Sequence, residues 1–172
     1  MGRAGAERDD GAHLARRPPR HELADLVPRQ SLGALPVTRD ADAFTRPYWD
    51  AANQGRLLIR RCHAAGCGAA HHYPREFCPR CWSEDVHWER ASGRASLYTW
   101  SVVHMNDLSP FSGRLPYTAA VVDLAEGPRM MTEVVGCPGF ALRVGMDLYV
   151  HFRPGGADGT AVPVFRVFRP TV

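Results

Sequence analysis

The chain has 172 residues, of which 45% are hydrophobic, and it carries a formal net charge of +3. Its length suits one ordinary domain or a small module joined to a modest domain, and its apolar fraction is typical of globular proteins. No apolar run approaches the roughly 20 residues of a membrane-spanning helix, and the amino terminus lacks the apolar core of a secretory signal. We therefore expect a cytoplasmic globular protein, with too little positive charge to indicate nucleic-acid binding.

The first part of the chain has the composition of an arm rather than of a domain. Residues 1–37 are rich in Arg, Asp, Ala, Gly and Pro and contain no aromatic side chain. Such a segment cannot bury enough apolar surface to offset the entropy of ordering, so we predict a disordered or loosely attached arm. A short helix around His21–Leu26 is an alternative for part of it.

A helical segment is predicted over residues 38–55. Thr45 can act as the N-cap, and Pro47 falls in the first turn, where a missing N–H costs nothing. Gly55 is a natural stop just beyond the end of the helix. The helix would then present an apolar face formed by Tyr48, Trp49 and Ala52.

Residues 56–91 contain a cluster of cysteines, which stand at Cys62, Cys67, Cys78 and Cys81. In a chain without an export signal, this clustering points to metal rather than to disulfides. Each pair of cysteines can supply two thiolates from a tight turn, and two such turns opposite each other complete a tetrahedral zinc site. The first turn is wide, and Gly66 and Gly68 would help it to close.

Other readings of the cluster remain open at this point. Cys78 and Cys81 alone could form a redox pair, although no βαβ pattern surrounds them. One of three histidines could replace a cysteine as ligand, and the wide first turn favours His63 over His71 and His72. Iron, or a ribbon without metal, is also compatible with the spacing. Four thiolates would leave no open coordination position, so the zinc would be structural.

After Ser92-Gly93 the sequence changes to short runs rich in Val, Tyr, Phe and Thr. These runs predict strands at Ala95–His104, Tyr117–Leu124, Arg129–Val135, Asp147–Arg153 and Val162–Arg169. Turn residues at 125–128 and 155–159 predict two hairpins. Five short antiparallel strands over residues 92–172 indicate an OB-fold barrel. The predicted fold class is mainly β, with an N-terminal helix, a rubredoxin-like zinc ribbon and a five-stranded OB-fold barrel.

The sequence offers no convincing catalytic constellation. It contains no nucleophile elbow, no phosphate-binding loop and no dinucleotide glycine pattern. The loop Met105–Pro116, with Phe111 and Arg114, is either an ordinary solvent-exposed connection or a contact surface beside the barrel. We therefore expect a binding or supporting protein rather than an enzyme.

A series of short segments, in a fixed order, resembles one known family. The segments are Gly55-Arg-Leu-Leu-Ile-Arg-Arg-Cys62, Tyr73-Pro-Arg-Glu-Phe-Cys-Pro-Arg-Cys81, Tyr98-Thr-Trp-Ser-Val-Val-His104 and Val122-Asp-Leu-Ala-Glu-Gly-Pro-Arg129. Over roughly residues 44–169 the chain resembles the zinc-ribbon plus OB-fold proteins associated with acyl-CoA enzymes, long catalogued as a domain of unknown function. It departs from that family in the first cysteine turn, where two intervening residues are more usual than four.

The resemblance implies a non-catalytic accessory or scaffold subunit that pairs with a thiolase-like, condensing, aldolase or hydratase enzyme. The OB domain would help to shape the acyl-CoA site of that partner, and the four cysteines would hold structural zinc. Phe111, Arg114 and Tyr117 would be candidates for contact with the partner or with acyl-CoA. A single-stranded nucleic-acid-binding module is the alternative, because zinc ribbons and OB-folds both occur in such proteins. The near-balanced charge argues against it.

Overall fold

The computed structural model describes residues 43–155 and 159–168, which form one helix, a three-stranded sheet and a five-stranded barrel. The predicted arm over residues 1–37, including the short helix at His21–Leu26, lies outside the described residues. Among the residues described, no helix has both the length and the apolar character needed to cross a membrane.

Helix α1 spans Arg46–Asn53 and lies between the predicted N-cap Thr45 and the predicted stop Gly55, whereas residues 43–45 of the predicted helical segment form a turn. Thr45 occupies the N-cap position, and its carbonyl accepts the N–H groups of Tyr48 and Trp49. Its side chain, however, makes no capping hydrogen bond, because its backbone is already helical (φ −87°, ψ −11°) and N-cap side chains need an extended backbone. At the other end, the N–H groups of Gly55 and Arg56 bond to the carbonyls of Ala52 and Ala51, which is a Schellman stop.

One face of α1 is buried against the rest of the molecule. Tyr48, Ala51 and Ala52 are buried, and Trp49 is half-buried against the main core. The prediction named Tyr48, Trp49 and Ala52, and the structure adds Ala51. Two adjacent alanines allow the helix backbone to approach strands β1 and β8 closely, so this short helix is anchored by both parts of the protein.

A small antiparallel sheet carries the cysteine turns. Its strands are β1 (Leu58–Cys62), β2 (Ala70–His71) and β3 (Val86–Arg90), in the order β2-β1-β3. The first cysteine turn joins β1 to β2, and the second lies between β2 and β3. Both turns are therefore held at the same end of strand β1.

The barrel is formed by the five strands that the sequence predicts, each within two residues of its predicted ends. They are β4 (Arg94–Val103), β5 (Tyr117–Leu124), β6 (Arg129–Val134), β7 (Asp147–Pro154) and β8 (Ala161–Val167). Both predicted hairpins are present, because β5 pairs antiparallel with β6 and β7 pairs antiparallel with β8. The strand order β4-β5-β6-β8-β7 closes on itself and confirms the predicted OB-fold.

The prediction of purely antiparallel pairing was wrong for one pair. Strands β6 and β8 run parallel, with Val134 opposite Phe165. The reason is geometric: in a closed ring of five strands the direction cannot alternate at every pair, so one pair must be parallel. The parallel pair joins the two hairpins and closes the barrel.

One apolar core unites the barrel with the inner part of the small sheet. Phe165 and Val122 are fully buried within the barrel, and they share a cluster with Leu57, Ile59 and Tyr48. The cysteine end of the small sheet has its own cluster, which contains Cys62, Cys78 and Val86 as buried residues. Helix α1 and strand β1 are thus part of the barrel core, whereas the cysteine turns are not.

Gly93, at the start of β4, provides a test of this packing. Its backbone has φ +78°, and a Cβ added there would lie 2.5 Å from Cγ1 of Val150. We expect Gly93→Ala to lower the free energy of unfolding by about 2 kcal/mol, because left-handed strain and a steric clash act together. Urea denaturation measures this. Gly113→Ala is the matched control, since nothing lies within 4 Å of its added Cβ. Equal midpoints for the two variants would contradict the packing described here.

Candidate metal centre and loop surface

The first cysteine turn follows directly from strand β1. Cys62 is the last residue of the strand, and its N–H donates to the carbonyl of Ala69 across the turn. Gly66 and Gly68 both have positive φ, at +76° and +60°. Residues with a Cβ rarely adopt this conformation, so the two glycines let the wide turn bring Cys67 back towards Cys62, as the sequence predicts.

The second turn is tighter and is stabilised by bonds to the cysteines themselves. The N–H of Cys78 donates to the carbonyl of Ser83, and the N–H of Trp82 donates to the carbonyl of Cys78. The N–H of Arg80 lies 3.4 Å from Sγ of Cys78 and donates to it. Trp82 has a positive φ of 63°, is 73% exposed, and stacks on Phe77 with ring centres 5.4 Å apart. The sequence analysis did not identify this exposed aromatic pair.

The two turns bring the sulfur atoms of Cys62, Cys67, Cys78 and Cys81 within 4.8 Å of one another. Sγ of Cys62 lies 3.6 Å from Sγ of Cys81, and Sγ of Cys67 lies 3.7 Å from Sγ of Cys78. Tetrahedral zinc with Zn–S bonds of about 2.3 Å places its sulfurs ~3.8 Å apart. The donor set and its spacing therefore fit a four-thiolate zinc site.

The acidities of the thiols also favour a cation at this point. Burial opposes ionisation of Cys78, but the backbone N–H groups of Arg80 and Cys81 and the neighbouring thiols lower its pKa to about 7. Burial raises the pKa of Cys62 to about 12. One thiol can therefore ionise near neutral pH, whereas ionising all four requires a positive charge among them.

The alternative ligand His63 and the remote cysteine Cys137 do not take part in the four-sulfur group. His63 is outside the four-sulfur group, and its ring packs edge-on against His87 with ring centres 4.7 Å apart. Cys137 lies in the segment between β6 and β7, where its thiol donates to the carbonyl of Pro138 at 3.7 Å.

The loop between β4 and β5 brings together the three residues proposed for partner or acyl-CoA contact. The rings of Phe111 and Tyr117 lie 6.0 Å apart. The guanidinium of Arg114 lies over both rings, 5.2 Å from the centre of Phe111 and 5.6 Å from that of Tyr117. Asn106 donates to the Tyr117 hydroxyl at 3.0 Å, which ties the start of the loop to its end.

Arg114 is also part of an ion cluster that sequence reasoning missed. It donates to one carboxylate oxygen of Glu133 on β6 at 2.8 Å, and Arg153 on β7 donates to the same oxygen at 2.9 Å. Two guanidinium groups share one carboxylate, so the cluster keeps an excess positive charge. No sequence signal joins these three residues, because each lies on a different element.

Exposed apolar side chains surround this end of the barrel. The 3-10 turn at 139–141 packs on the end of β4, where the indole N–H of Trp100 donates to the carbonyl of Gly139 at 3.1 Å. Phe140 in this turn is 90% exposed, and Met105 in the neighbouring loop is 82% exposed. We call the exposed side chains of these two segments the loop-end surface, formed by Met105, Leu108, Phe111 and Phe140.

Comparison with protein families accounts for both parts of the structure. The model described as "ChsH2, rubredoxin-like zinc ribbon domain" matches residues 49–87, and "ChsH2, C-terminal OB-fold domain" matches residues 88–153. A DUF35 domain-containing scaffold protein of Methanocaldococcus jannaschii is 34% identical over 104 residues, which cover 60% of this chain and 72% of that one. This chain belongs to the ChsH2/DUF35 family. The resemblance inferred from the sequence is thereby confirmed.

Two further relatives carry more specific names. A probable enoyl-CoA hydratase alpha subunit of Thermomonospora curvata is 33% identical over 150 residues, which cover 87% of this chain and 44% of that protein. The present chain thus spans less than half the length of that relative. A chain of the solved structure "Ltp2-ChsH2(DUF35) aldolase" superposes with a TM-score of 0.63 at 32% identity, covering 73% of this chain and 95% of that chain.

A group of buried and half-buried polar side chains joins the small sheet to helix α1. Arg60 stands in register between His71 and Trp88, and its guanidinium lies 5.0 Å from the centre of the Trp88 ring. His72 lies 3.5 Å from the hydroxyl of Tyr48 on α1. Burial, with the neighbouring His71, lowers the pKa of His72 to about 4, and burial also lowers the pKa of His71. Both imidazoles are therefore neutral at pH 7.

Zinc content tests the metal centre. We expect the purified chain to carry about one zinc ion per molecule. Cys78→Ser should remove most of this zinc and change the fluorescence of Trp82, because the turn that holds Trp82 on Phe77 depends on the Cys78 ligand. Metal analysis and tryptophan emission measure both effects. Cys137→Ser is the control and should keep its zinc. Full zinc content in Cys78→Ser would show that the four cysteines do not act as one site.

The low pKa of His72 makes stability depend on pH. The folded pKa of about 4 lies below the unfolded value of about 6.5, so as the pH falls the unfolded state takes up the proton first. The stability that the folded protein gains from a neutral His72 is fully present above pH 6.5 and is lost as the pH falls towards 4. We expect the free energy of unfolding of His72→Gln to fall less steeply with acidification than that of the unmodified chain, by up to about 1.4 kcal/mol per pH unit. Urea denaturation of both proteins between pH 7 and 5 tests this, and parallel curves would refute it.

Proposed function

We propose that this chain is an accessory scaffold subunit of an acyl-CoA-processing enzyme and is not catalytic alone. The observation that carries the proposal is the match to the chain of the Ltp2-ChsH2(DUF35) aldolase structure, which is covered over 95% of its length at 32% identity. The scaffold and hydratase-subunit names of the other relatives point in the same direction. The partner would be an aldolase-, hydratase-, thiolase-like or condensing enzyme of the cytoplasm, where thiolates stay reduced.

The four cysteines have a structural role in this proposal. Cys62, Cys67, Cys78 and Cys81 would bind one zinc ion and leave it no open coordination position, so the ion would supply folding energy rather than chemistry. Its effect would be to fix the two turns at the end of β1. The inner part of the same strand packs into the barrel core through Ile59, so a rigid ribbon would stay attached to a rigid barrel.

The partner would dock on the loop-end surface. Monomeric proteins rarely expose several large apolar side chains on neighbouring segments, and such patches mark interaction sites. Phe111 of this surface forms a rim together with Arg114 and Tyr117, where the ring contacts and the bond to Glu133 hold the arginine in place. The excess positive charge of Arg114 and Arg153 suits a phosphate group, so acyl-CoA bound at the shared interface could contact this rim.

The alternative of a single-stranded nucleic-acid-binding module receives less support from the barrel face. Arg129 donates to Asp123 at 2.7 Å, and Arg114 and Arg153 share the single carboxylate of Glu133, so these three arginines together keep only one excess positive charge. Phosphate binding along a strand of nucleic acid needs a row of uncompensated cations.

Co-purification with the partner tests the proposal. We expect this chain to elute from size exclusion as one complex when it is co-expressed with an aldolase- or hydratase-type subunit encoded by a neighbouring gene. Phe140→Glu should weaken the complex at least about tenfold, because it places an uncompensated charge in an apolar interface. Arg114→Gln should weaken it less, since Arg153 still pairs with Glu133.

Phe168→Glu is the matched control for Phe140→Glu. Phe168 is also exposed. Its backbone N–H bonds to the carbonyl of Asp147 at the start of β7, and Asp147 pairs with Ser96 near the start of β4. The loop-end surface lies at the other end of β4, a strand of ten residues. The control variant should bind the partner as the unmodified chain does. Separate elution of the unmodified chain from every candidate partner would overturn the proposed function. Equal weakening by both phenylalanine variants would overturn the proposed docking surface.

A further inference from the structure

The outer face of the paired strands β1 and β3 carries two histidines that lie outside the four-sulfur group. Arg61 stands directly opposite His87 in the β1–β3 register, and the N–H of His63 donates to the carbonyl of Asp85 at 2.8 Å. Side chains of alternate residues share a face of a sheet, so His63 and His87 are diagonal neighbours on this surface. Their ring centres lie 4.7 Å apart, and both residues are exposed.

A carboxylate orients one of the two rings. Oδ1 of Asp85 lies 2.8 Å from Nε2 of His87. A carboxylate can only accept, so Nε2 carries the proton and Nδ1 of the neutral ring keeps its lone pair. Metal-binding histidines commonly donate their second N–H to a carboxylate in this way, which fixes the tautomer and raises the basicity of the ligand nitrogen. Among the residues that the structure describes, the ring nitrogens of His63 have no hydrogen-bond partner.

The local charge also favours a cation. Arg61 is compensated by Glu89, to which it donates through two nitrogens, so this pair adds no net charge beside the histidines. Asp85 then supplies one negative charge, because both imidazoles are neutral when they act as ligands. Two nitrogens bound to one ion at about 2.0–2.1 Å are ~3.4 Å apart in tetrahedral geometry. Exposed rings with centres 4.7 Å apart can reach this spacing by rotation about their side-chain bonds.

We propose that His63 and His87, oriented by Asp85, form a second metal site on the outer face of the ribbon, separate from the four cysteines. Its ligand class is a divalent transition-metal ion that prefers imidazole, such as Zn²⁺, Ni²⁺ or Cu²⁺. The protein supplies two nitrogens and water completes the coordination. The site is therefore weaker and more readily exchanged than the four-thiolate centre, and it lies one residue along the chain from Cys62.

The test titrates the purified, zinc-containing full chain with Ni²⁺ by calorimetry, with the zinc content measured before and after. We expect one Ni²⁺ to bind, and we expect His63→Gln and His87→Gln each to weaken binding by about tenfold or more. Asp85→Asn should also weaken it, by roughly tenfold, because the tautomer of His87 is no longer fixed. His104→Gln, which changes an exposed histidine in the loop after β4, is the control and should leave the affinity unchanged.

A second readout locates the ion directly. Paramagnetic Ni²⁺ should broaden the imidazole resonances of His63 and His87 at concentrations that leave those of His104 sharp. The same zinc content in every variant shows that the ribbon is intact. Wild-type affinity in both His63→Gln and His87→Gln, or no binding by the unmodified chain up to about 1 mM Ni²⁺, would overturn the proposal. Neither outcome depends on whether a partner enzyme binds.

Discussion

The constraint on which the ribbon depends is the close approach of four cysteine sulfurs, all within 4.8 Å of one another. Around them, within residues 43–155 and 159–168, only Cys62, Cys78 and Val86 form a buried cluster, and two of these three residues belong to the sulfur group itself. An apolar core of this size cannot offset the entropy of ordering two turns. A cation among the thiolates would supply the missing stabilisation and would hold the two turns in the geometry that exposes Trp82.

The inner half of the ribbon is stabilised differently. Leu57 and Ile59 belong to the same buried cluster as Phe165 and Val122 of the barrel, and Tyr48 of helix α1 completes the junction. A metal-dependent tip and a core-dependent base therefore share strand β1. Strand β1 thus joins the cysteine turns to a base that is packed into the barrel core.

Most of the secondary structure could be predicted because local patterns determine it. Short runs rich in Val, Tyr, Phe and Thr predicted all five barrel strands, and turn residues predicted both hairpins. The errors concern interactions that depend on neighbours far away in the sequence. The parallel pairing of Val134 with Phe165 follows from ring closure, which no single strand encodes. Thr45 stands at the helix start as predicted, but its backbone is already helical, which does not suit side-chain capping.

In the candidate sites, too, some features follow from short segments of sequence and others arise only from the fold. The sequence by itself determined the four cysteines and the glycines of the wide turn, because ligand type, spacing and backbone freedom are properties of short segments. It also determined the family, through many short segments in one order. Only the tertiary structure decided that Arg114 and Arg153 share Glu133, that Phe140 stays exposed beside the Met105 loop, and that His63 meets His87. Each of these is a through-space relation between elements, which the fold creates when strands close into a barrel or pair in a sheet.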